Sequence, residues 1–121
     1  MWKNYFGDMA RVIGVELNPE AKKLENDGFE IYIGNQTDEN FWKNFFEKVG
    51  KVDIILDDGG HTNFQQITTC CICVPFIKDD GLMVVEDVFH SYGLSYGAKG
   101  FFNPSKYSST STTAISLEFD L

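Results

Sequence analysis

The sequence predicts a single α/β domain with a mostly parallel sheet, and two observations carry this prediction. Short apolar runs alternate along the chain with segments of helical periodicity, and glycine, asparagine or proline residues separate them. Regular alternation of this kind with short turns is typical of right-handed βαβ units. The length of 121 residues and the 43% hydrophobic content suit one domain, residues 1–121, with one core.

Each of the four predicted strands is a short apolar run bounded by turn residues. They cover residues 11–16, 29–33, 53–56 and 82–85. The first strand ends in Glu16, and the second is followed by the polar residues Asn35, Gln36 and Thr37. The last two strands each end in a pair of carboxylates.

The four predicted helices cover residues 1–6, 19–27, 39–49 and 64–75. Asn18 is suited to cap the second of them, Thr37 or Asp38 the third, and Asn63 the fourth. Apolar side chains at helical spacing predict the core-facing side of the third helix, and a similar set predicts that of the fourth. The two sets are Phe41, Trp42, Phe45, Phe46 and Val49, and Phe64, Ile67, Cys70, Cys71 and Val74.

Beyond the fourth helix, residues 79–81 are predicted to form a turn into the last strand. After Tyr92 the pattern changes to glycine and serine, so residues 93–113 are predicted to be a loop or lid. Residues 114–121 fit either a short strand or the start of a helix.

Composition excludes several classes of partner. Eighteen acidic and ten basic residues give a formal net charge of −8, which favours neither nucleic acid nor an anionic membrane as a partner. No apolar run approaches the roughly 20 residues of a transmembrane helix, and the N-terminus lacks a signal-peptide pattern, so we expect a cytoplasmic protein. Cys70, Cys71 and Cys73 are predicted to be reduced core residues rather than zinc ligands.

The segment around which the prediction is organised is DIILDDGGH, residues 53–61, an apolar run that ends in two aspartates, two glycines and His61. A second run, LMVVEDVFH at residues 82–90, has the same layout, with Glu86 and Asp87 after its strand. Ligands of open α/β sheets bind outside the carboxyl ends of the strands. The two runs therefore predict one crevice surrounded by four acids and His61.

These motifs, together with VIGVELNP and GNQTDENFW, resemble class I S-adenosylmethionine-dependent methyltransferases, and in particular the metal-dependent sugar O-methyltransferases of the macrocin and mycinamicin type. In that branch one strand ends in D-D-G-S-H and the next in E-D, followed shortly by S-Y. The resemblance covers residues 1–92 and implies a Rossmann-like three-layer αβα fold. It also implies a missing first strand, which should precede Met1 and lie between the strands that end at Glu16 and Asp57, and missing C-terminal strands. The chain is then either part of a longer protein, or those two strands close up on each other.

The resemblance implies a Mg²⁺- and S-adenosylmethionine-dependent transfer of a methyl group to a hydroxyl of a small molecule such as a sugar. By motif position Asp58, Glu86 and Asp87 are metal ligands, which suits the preference of Mg²⁺ for oxygen. His61 falls on the position of the general base, and histidine side chains titrate near neutral pH. Taken alone, His61 fits a structural role at the start of a helix better, and the convergence of five acidic or histidine groups on one edge reverses that preference.

On the cofactor side the predicted residues lie at three strand ends: Glu16, Asn35, Gln36, Thr37 and Asp57. Rossmann-like folds bind ribose hydroxyls with an acid at the end of a strand, which is the position of Glu16. For residues 35–37, turn and capping chemistry is an equal alternative. His90 lies one place later than the family histidine, and no role is carried onto it.

Two other functions remain open from the sequence. Glu16 would suit the ribose of a nicotinamide cofactor in an oxidoreductase, although no GxGxxG turn is visible and the acid cluster would be unexplained. The chain could instead be a catalytically inactive fragment, or a domain completed by another chain. Exposed strand edges favour such pairing, so a homo-oligomer is also an expectation.

Overall fold

The computed structural model describes residues 2–88, and it contains helices and parallel strands in alternating order. The helices are α1 (Trp2–Phe6), α2 (Glu39–Val49) and α3 (Asn63–Cys73), with 3₁₀ helices at Pro19–Asp27 and Val74–Phe76. The strands are β1 (Ile13–Glu16), β2 (Glu30–Ile33), β3 (Val52–Asp57) and β4 (Ile77–Val85). The predicted α/β class is confirmed, and the second predicted helix is 3₁₀ rather than α.

The strands form two parallel pairs, β1 with β2 and β3 with β4. Each pair is joined by a helical crossover, as predicted for βαβ units. Within residues 2–88 the two pairs do not join into one sheet. A cleft of about 880 Å³ is lined by β1, by β3 and by apolar side chains of α1 and α2. The described part of the chain therefore gives no sign that β1 and β3 close up on each other.

Side-chain caps fix where the helices begin. Asn18 accepts a hydrogen bond from the Glu20 amide at 3.0 Å, and Asp38 caps α2 through the amides of the second and third helical residues. The prediction of Asn63 as the cap of α3 was wrong, because Thr62 caps this helix. Thr62 and Gln65 form a capping box, in which each side chain bonds the backbone of the other residue.

The inward face of α3 also differs from the prediction. Phe64 is 68% exposed, and Cys71 and Val74 are exposed as well. The buried residues of α3 are mostly polar: Asn63, Gln66, Thr69, Cys70 and Cys73. The helix is turned this way because Gln66 and Thr69 have hydrogen-bond partners on neighbouring elements. The three cysteines are free thiols as predicted, but Cys71 is not a core residue.

Strand β4 begins earlier than predicted and includes residues 79–81, which were expected to form a turn. Pairing with β3 is interrupted by a register shift between Val52 and Ile54. At this irregularity Lys78 Nζ lies 2.8 Å from Asp53 Oδ1. A Cβ on Gly81 would lie 2.5 Å from the Asp53 carbonyl oxygen, so the close approach of the two backbones requires glycine there.

The core is centred on α2, whose aromatic residues follow the predicted spacing. Trp42 is fully buried, and Phe45 and Phe46 are nearly so. The ring of Phe46 stacks on Phe76 with centroids 4.1 Å apart. Residues from the other elements complete the same cluster: Val15, Ile55, Cys70, Cys73, Met83 and Val85. Within residues 2–88 no helix has the length and apolar character needed to cross a membrane.

Candidate functional site

The two acid-tipped strands lie side by side, so their carboxyl ends share one edge. Asp57 of β3 is the register partner of Val85 of β4. The Glu86 amide then donates a hydrogen bond of 2.9 Å to the Asp57 carbonyl oxygen, which extends the pairing by one step. The acids that follow the two strands therefore lie at the same edge of the sheet, as the sequence predicts.

Three side chains converge beyond this edge: Asp58, His61 and Asp87. Each offers one ligand atom, and these atoms all lie within 4.8 Å of one another. His61 Nε2 lies 3.6 Å from Asp87 Oδ2. Asp87 has a φ of 51°, a left-handed backbone conformation that is uncommon for residues other than glycine. A strained residue held beside two ionisable groups is typical of a functional site.

This cluster contains two of the three predicted metal ligands and the predicted base. The third predicted ligand, Glu86, has an exposed side chain that is not in the converging group. Two carboxylates are oxygen donors of the kind that Mg²⁺ and Mn²⁺ prefer, with water or substrate oxygens completing the shell. The donor set therefore fits a hard divalent cation.

Asp57 faces inward, in contrast to its neighbour Asp58. It is 1% exposed, and its Oδ1 accepts a 3.0 Å hydrogen bond from the Gly59 amide. Burial raises the pKa of Asp57 to about 6, although the bonds from Gly59 and Gln36 and the nearby His61 each oppose the rise. A buried carboxyl with these partners fixes the start of the loop that carries Asp58 and His61.

The raised pKa predicts an unusual pH dependence of stability. The folded chain retains on Asp57 a proton that the unfolded chain releases near its ordinary pKa of 3.8. The free energy of unfolding should therefore fall by about 3 kcal/mol between about pH 4 and pH 7, taking 1.36 kcal/mol per pKa unit. Asp57→Asn should remove this decline, as measured by urea denaturation in metal-free buffer. Asp79→Asn, at an exposed position on β4, is the control, and parallel profiles for wild type and Asp57→Asn would contradict the assignment.

Gln36, predicted on the cofactor side, turns its side chain toward the same loop. Its Nε2 lies 3.1 Å from Thr69 Oγ1 and 3.4 Å from each Asp57 carboxylate oxygen. Its Oε1 accepts a hydrogen bond from the Gly60 amide. The Gln36 backbone is fixed in turn, because its carbonyl oxygen accepts from Trp42 Nε1 at 2.9 Å.

The other predicted cofactor residues lie at the ends of β1 and β2. Glu16 is the last residue of β1, and its carbonyl oxygen accepts from the Gly34 amide at 2.8 Å. Asn35 Oδ1 accepts from both the amide and the hydroxyl of Thr37 at 2.9 Å, which is the turn chemistry that the sequence left open. Binding of a cofactor at these positions stays a prediction.

Sequence reasoning missed two buried polar residues of α3. Gln66 is 1% exposed and donates from Nε2 to the Glu86 carbonyl oxygen at 3.0 Å, which supports the turn before Asp87. Thr69 is fully buried against Gln36. The spacing of Asn63, Gln66 and Thr69 places them on one helical face, and that pattern was the available signal. The predicted lid, residues 93–113, and His90 lie outside the described residues.

Comparison with known proteins gives several matches, all of them O-methyltransferases. The chain is 33% identical over 97 residues to the 8-demethyl-8-(2-methoxy-alpha-L-rhamnosyl)-tetracenomycin-C 3'-O-methyltransferase of Streptomyces olivaceus, which covers 80% of this chain and 24% of that protein. It is 32% identical over 97 residues to the L-olivosyl-oleandolide 3-O-methyltransferase of Streptomyces antibioticus, covering 80% and 25%. It is 27% identical over 111 residues to the Mycinamicin VI 2''-O-methyltransferase of Micromonospora griseorubida, covering 92% and 27%.

The matches cover most of this chain and a small part of each relative. The chain spans about a quarter of the length of these curated relatives. No family model and no solved structure matches it. The predicted resemblance to sugar O-methyltransferases of the macrocin and mycinamicin type is confirmed by the matched proteins.

Proposed function

We propose, from the relationship of this chain to the sugar O-methyltransferases, that it carries part of the active site of an enzyme that methylates a hydroxyl of a small molecule. The observation that carries this proposal is the convergence of Asp58, His61 and Asp87 at the carboxyl ends of β3 and β4. Two carboxylates this close together form a set of oxygen donors that a divalent cation can share.

The methyl donor in this proposal is S-adenosylmethionine, whose sulfonium gives up its methyl group and leaves as a neutral thioether. Transfer of this methyl group would join it to the acceptor oxygen in place of the hydroxyl proton, so a residue of the site must take up that proton. His61 takes that proton at Nε2, the nitrogen that faces the cluster, 3.6 Å from Asp87 Oδ2. Asp57, held inside the loop, keeps Asp58 and His61 on the same side of the sheet edge.

A bound Mg²⁺ would lower the pKa of the acceptor hydroxyl and hold it in place. Asp58 and Asp87 would hold the ion, and Glu86 would join them only if its exposed side chain turned toward the cluster. Glu16, Asn35, Gln36, Thr37 and Asp57 remain the proposed cofactor side, with Glu16 on the ribose.

The acceptor that we propose is a hydroxylated sugar unit. The names of two relatives specify rhamnosyl and olivosyl compounds, and the acceptor of this chain is inferred from them. The same proposal includes a Rossmann-like three-layer arrangement in the whole protein, a cytoplasmic location and no nucleic-acid or membrane partner. A homo-oligomer stays a prediction, since the edges of two-stranded sheets favour pairing.

The proposal is tested by calorimetry with S-adenosylmethionine and Mg²⁺, together with transfer of a labelled methyl group to a rhamnosyl or olivosyl glycoside. We expect Mg²⁺ to bind and to increase transfer, and Asp58→Ala to remove both effects. Binding that is unchanged in Asp58→Ala and Glu86→Ala would overturn the metal assignment. Binding of NAD in place of S-adenosylmethionine would favour the oxidoreductase alternative, and metal binding without donor binding would favour an inactive fragment.

A further inference from the structure

Gln36 lies on the proposed cofactor side, and its side chain also bonds the loop formed by residues 57–61. Its side-chain amide lies between the end of β3 and helix α3, and the hydrogen bonds of both of its polar atoms go to protein groups. The Nε2 atom faces a hydroxyl and a carboxylate, which accept, and Oε1 faces a backbone amide, which donates. This orientation of the amide is the only one that satisfies all of its neighbours.

We propose that Gln36 is a positioning residue that holds residues 57–61 in the shape that brings Asp58 and His61 into the cluster with Asp87. The inference rests on the proposed function, because it concerns the same metal and base site. The Gln36 side chain forms hydrogen bonds to the loop at two points, the Asp57 carboxylate and the Gly60 amide. Asp58 lies between these points in sequence, and His61 follows directly after the second.

The loop is also packed tightly against the Gln36 side chain. A Cβ on Gly59 would lie 2.8 Å from Gln36 Oε1, so the glycine allows the loop to approach the amide. Gly59 Cβ would also lie 3.0 Å from Asp57 Oδ1. The conformation of the loop is therefore matched to this amide, and a side chain of different shape or polarity would leave the Gly60 amide unsatisfied.

Neither glutamate nor methionine reproduces this set of bonds. Glutamate would place a second carboxylate against Asp57, and two like charges at this distance repel. Methionine has a similar length and flexibility but can neither donate to Asp57 nor accept strongly from Gly60. Outer partners that orient metal ligands typically contribute about 10- to 100-fold to metal affinity. We therefore expect Gln36→Met to weaken metal binding without contact to the metal.

The experiment compares Mn²⁺ binding, measured by electron paramagnetic resonance, in wild type, Gln36→Met and Phe45→Leu. Phe45 is a buried core residue of α2, and leucine keeps an apolar side chain at its position, so this variant controls for lost stability. We expect the Mn²⁺ dissociation constant to rise about 10- to 100-fold in Gln36→Met and to change less than about threefold in Phe45→Leu. If the Mn²⁺ dissociation constant rises equally in the two variants at the same melting temperature, Gln36 has only a structural role and the proposal is wrong.

A second measurement tests the positioning role of Gln36 independently of the proposed function. Amide hydrogen exchange at Gly60 should be faster in Gln36→Met than in Phe45→Leu, whether or not Mn²⁺ binds. If wild type fails to bind Mn²⁺ while Gly60 responds, the metal site fails and the positioning of the loop stands. If Gly60 exchange is unchanged, the positioning role is wrong. Thr69→Val, which removes one acceptor of Nε2, provides a milder variant and should accelerate Gly60 exchange in the same direction.

Discussion

Replacing His61 with glutamine should lower the rate of methyl transfer by about 100- to 10,000-fold, the usual contribution of a positioned general base. Glutamine keeps the size and hydrogen-bonding capacity of the side chain but cannot take up a proton at neutral pH. The reason is geometric, since His61 lies in the cluster with Asp58 and Asp87. The measurement is transfer of a labelled methyl group by the full-length protein at saturating donor and Mg²⁺.

The same variant separates a base from a metal ligand. If His61 acts as the base, the Mn²⁺ dissociation constant of His61→Gln should stay within about threefold of that of wild type. Loss of a residue that orients a metal ligand would raise this constant about 10- to 100-fold. Loss of Mn²⁺ affinity in parallel with loss of rate would instead make His61 a ligand. A normal rate of transfer in His61→Gln would contradict its catalytic role altogether.

Replacing Trp42 with alanine should destabilise the fold by about 3–5 kcal/mol, the range for large aromatic residues in a core. Trp42 is fully buried, and its ring contacts Phe41, Phe45 and Phe46. The substitution also leaves the Gln36 carbonyl oxygen without its Nε1 donor. Domains are stable by only about 5–15 kcal/mol, so the substitution should remove a large fraction of the total stability. Urea denaturation followed by circular dichroism measures the effect.

Phe64→Ala is the matched control for this aromatic deletion. Phe64 is 68% exposed on α3, so its loss should change the free energy of unfolding by about 0.5 kcal/mol or less. The control also tests the orientation of α3, because the sequence placed Phe64 in the core. A loss of several kcal/mol in Phe64→Ala, or a small effect in Trp42→Ala, would contradict the packing described above.

The sequence predicted those features that depend on neighbouring residues along the chain. The apolar run before Asp57 and the turn residues after it are local signals, and β3 ends at Asp57. The aromatic spacing of α2 likewise predicted its buried face, with Trp42 and Phe46 at the centre. Parallel pairing followed from the alternation of strands and helices, and this pairing then placed Asp58 and Asp87 at one edge.

The features that the sequence did not predict depend on partners that are distant in the chain. Helix α3 buries Gln66 and Thr69 because they bond Glu86 and Gln36, 20 and 33 residues away. The spacing of the apolar residues instead predicted that Phe64 faces the core. The separation of the two strand pairs was one of the two arrangements that the resemblance left open, and local reasoning could not choose between them. The side chain of Gln36 could be assigned to the loop only after its neighbours were known.

The measurement that tests the central claim most directly is the binding of Mn²⁺ to the wild-type chain, with displacement by Mg²⁺. We predict one Mn²⁺ per chain and a dissociation constant that rises at least about tenfold in Asp58→Asn and in Asp87→Asn, since these residues would be ligands rather than outer partners. Asp79→Asn, at an exposed position on β4, should bind as wild type does. Absence of Mn²⁺ binding, or equal binding in all four proteins, would contradict a metal site formed by Asp58 and Asp87.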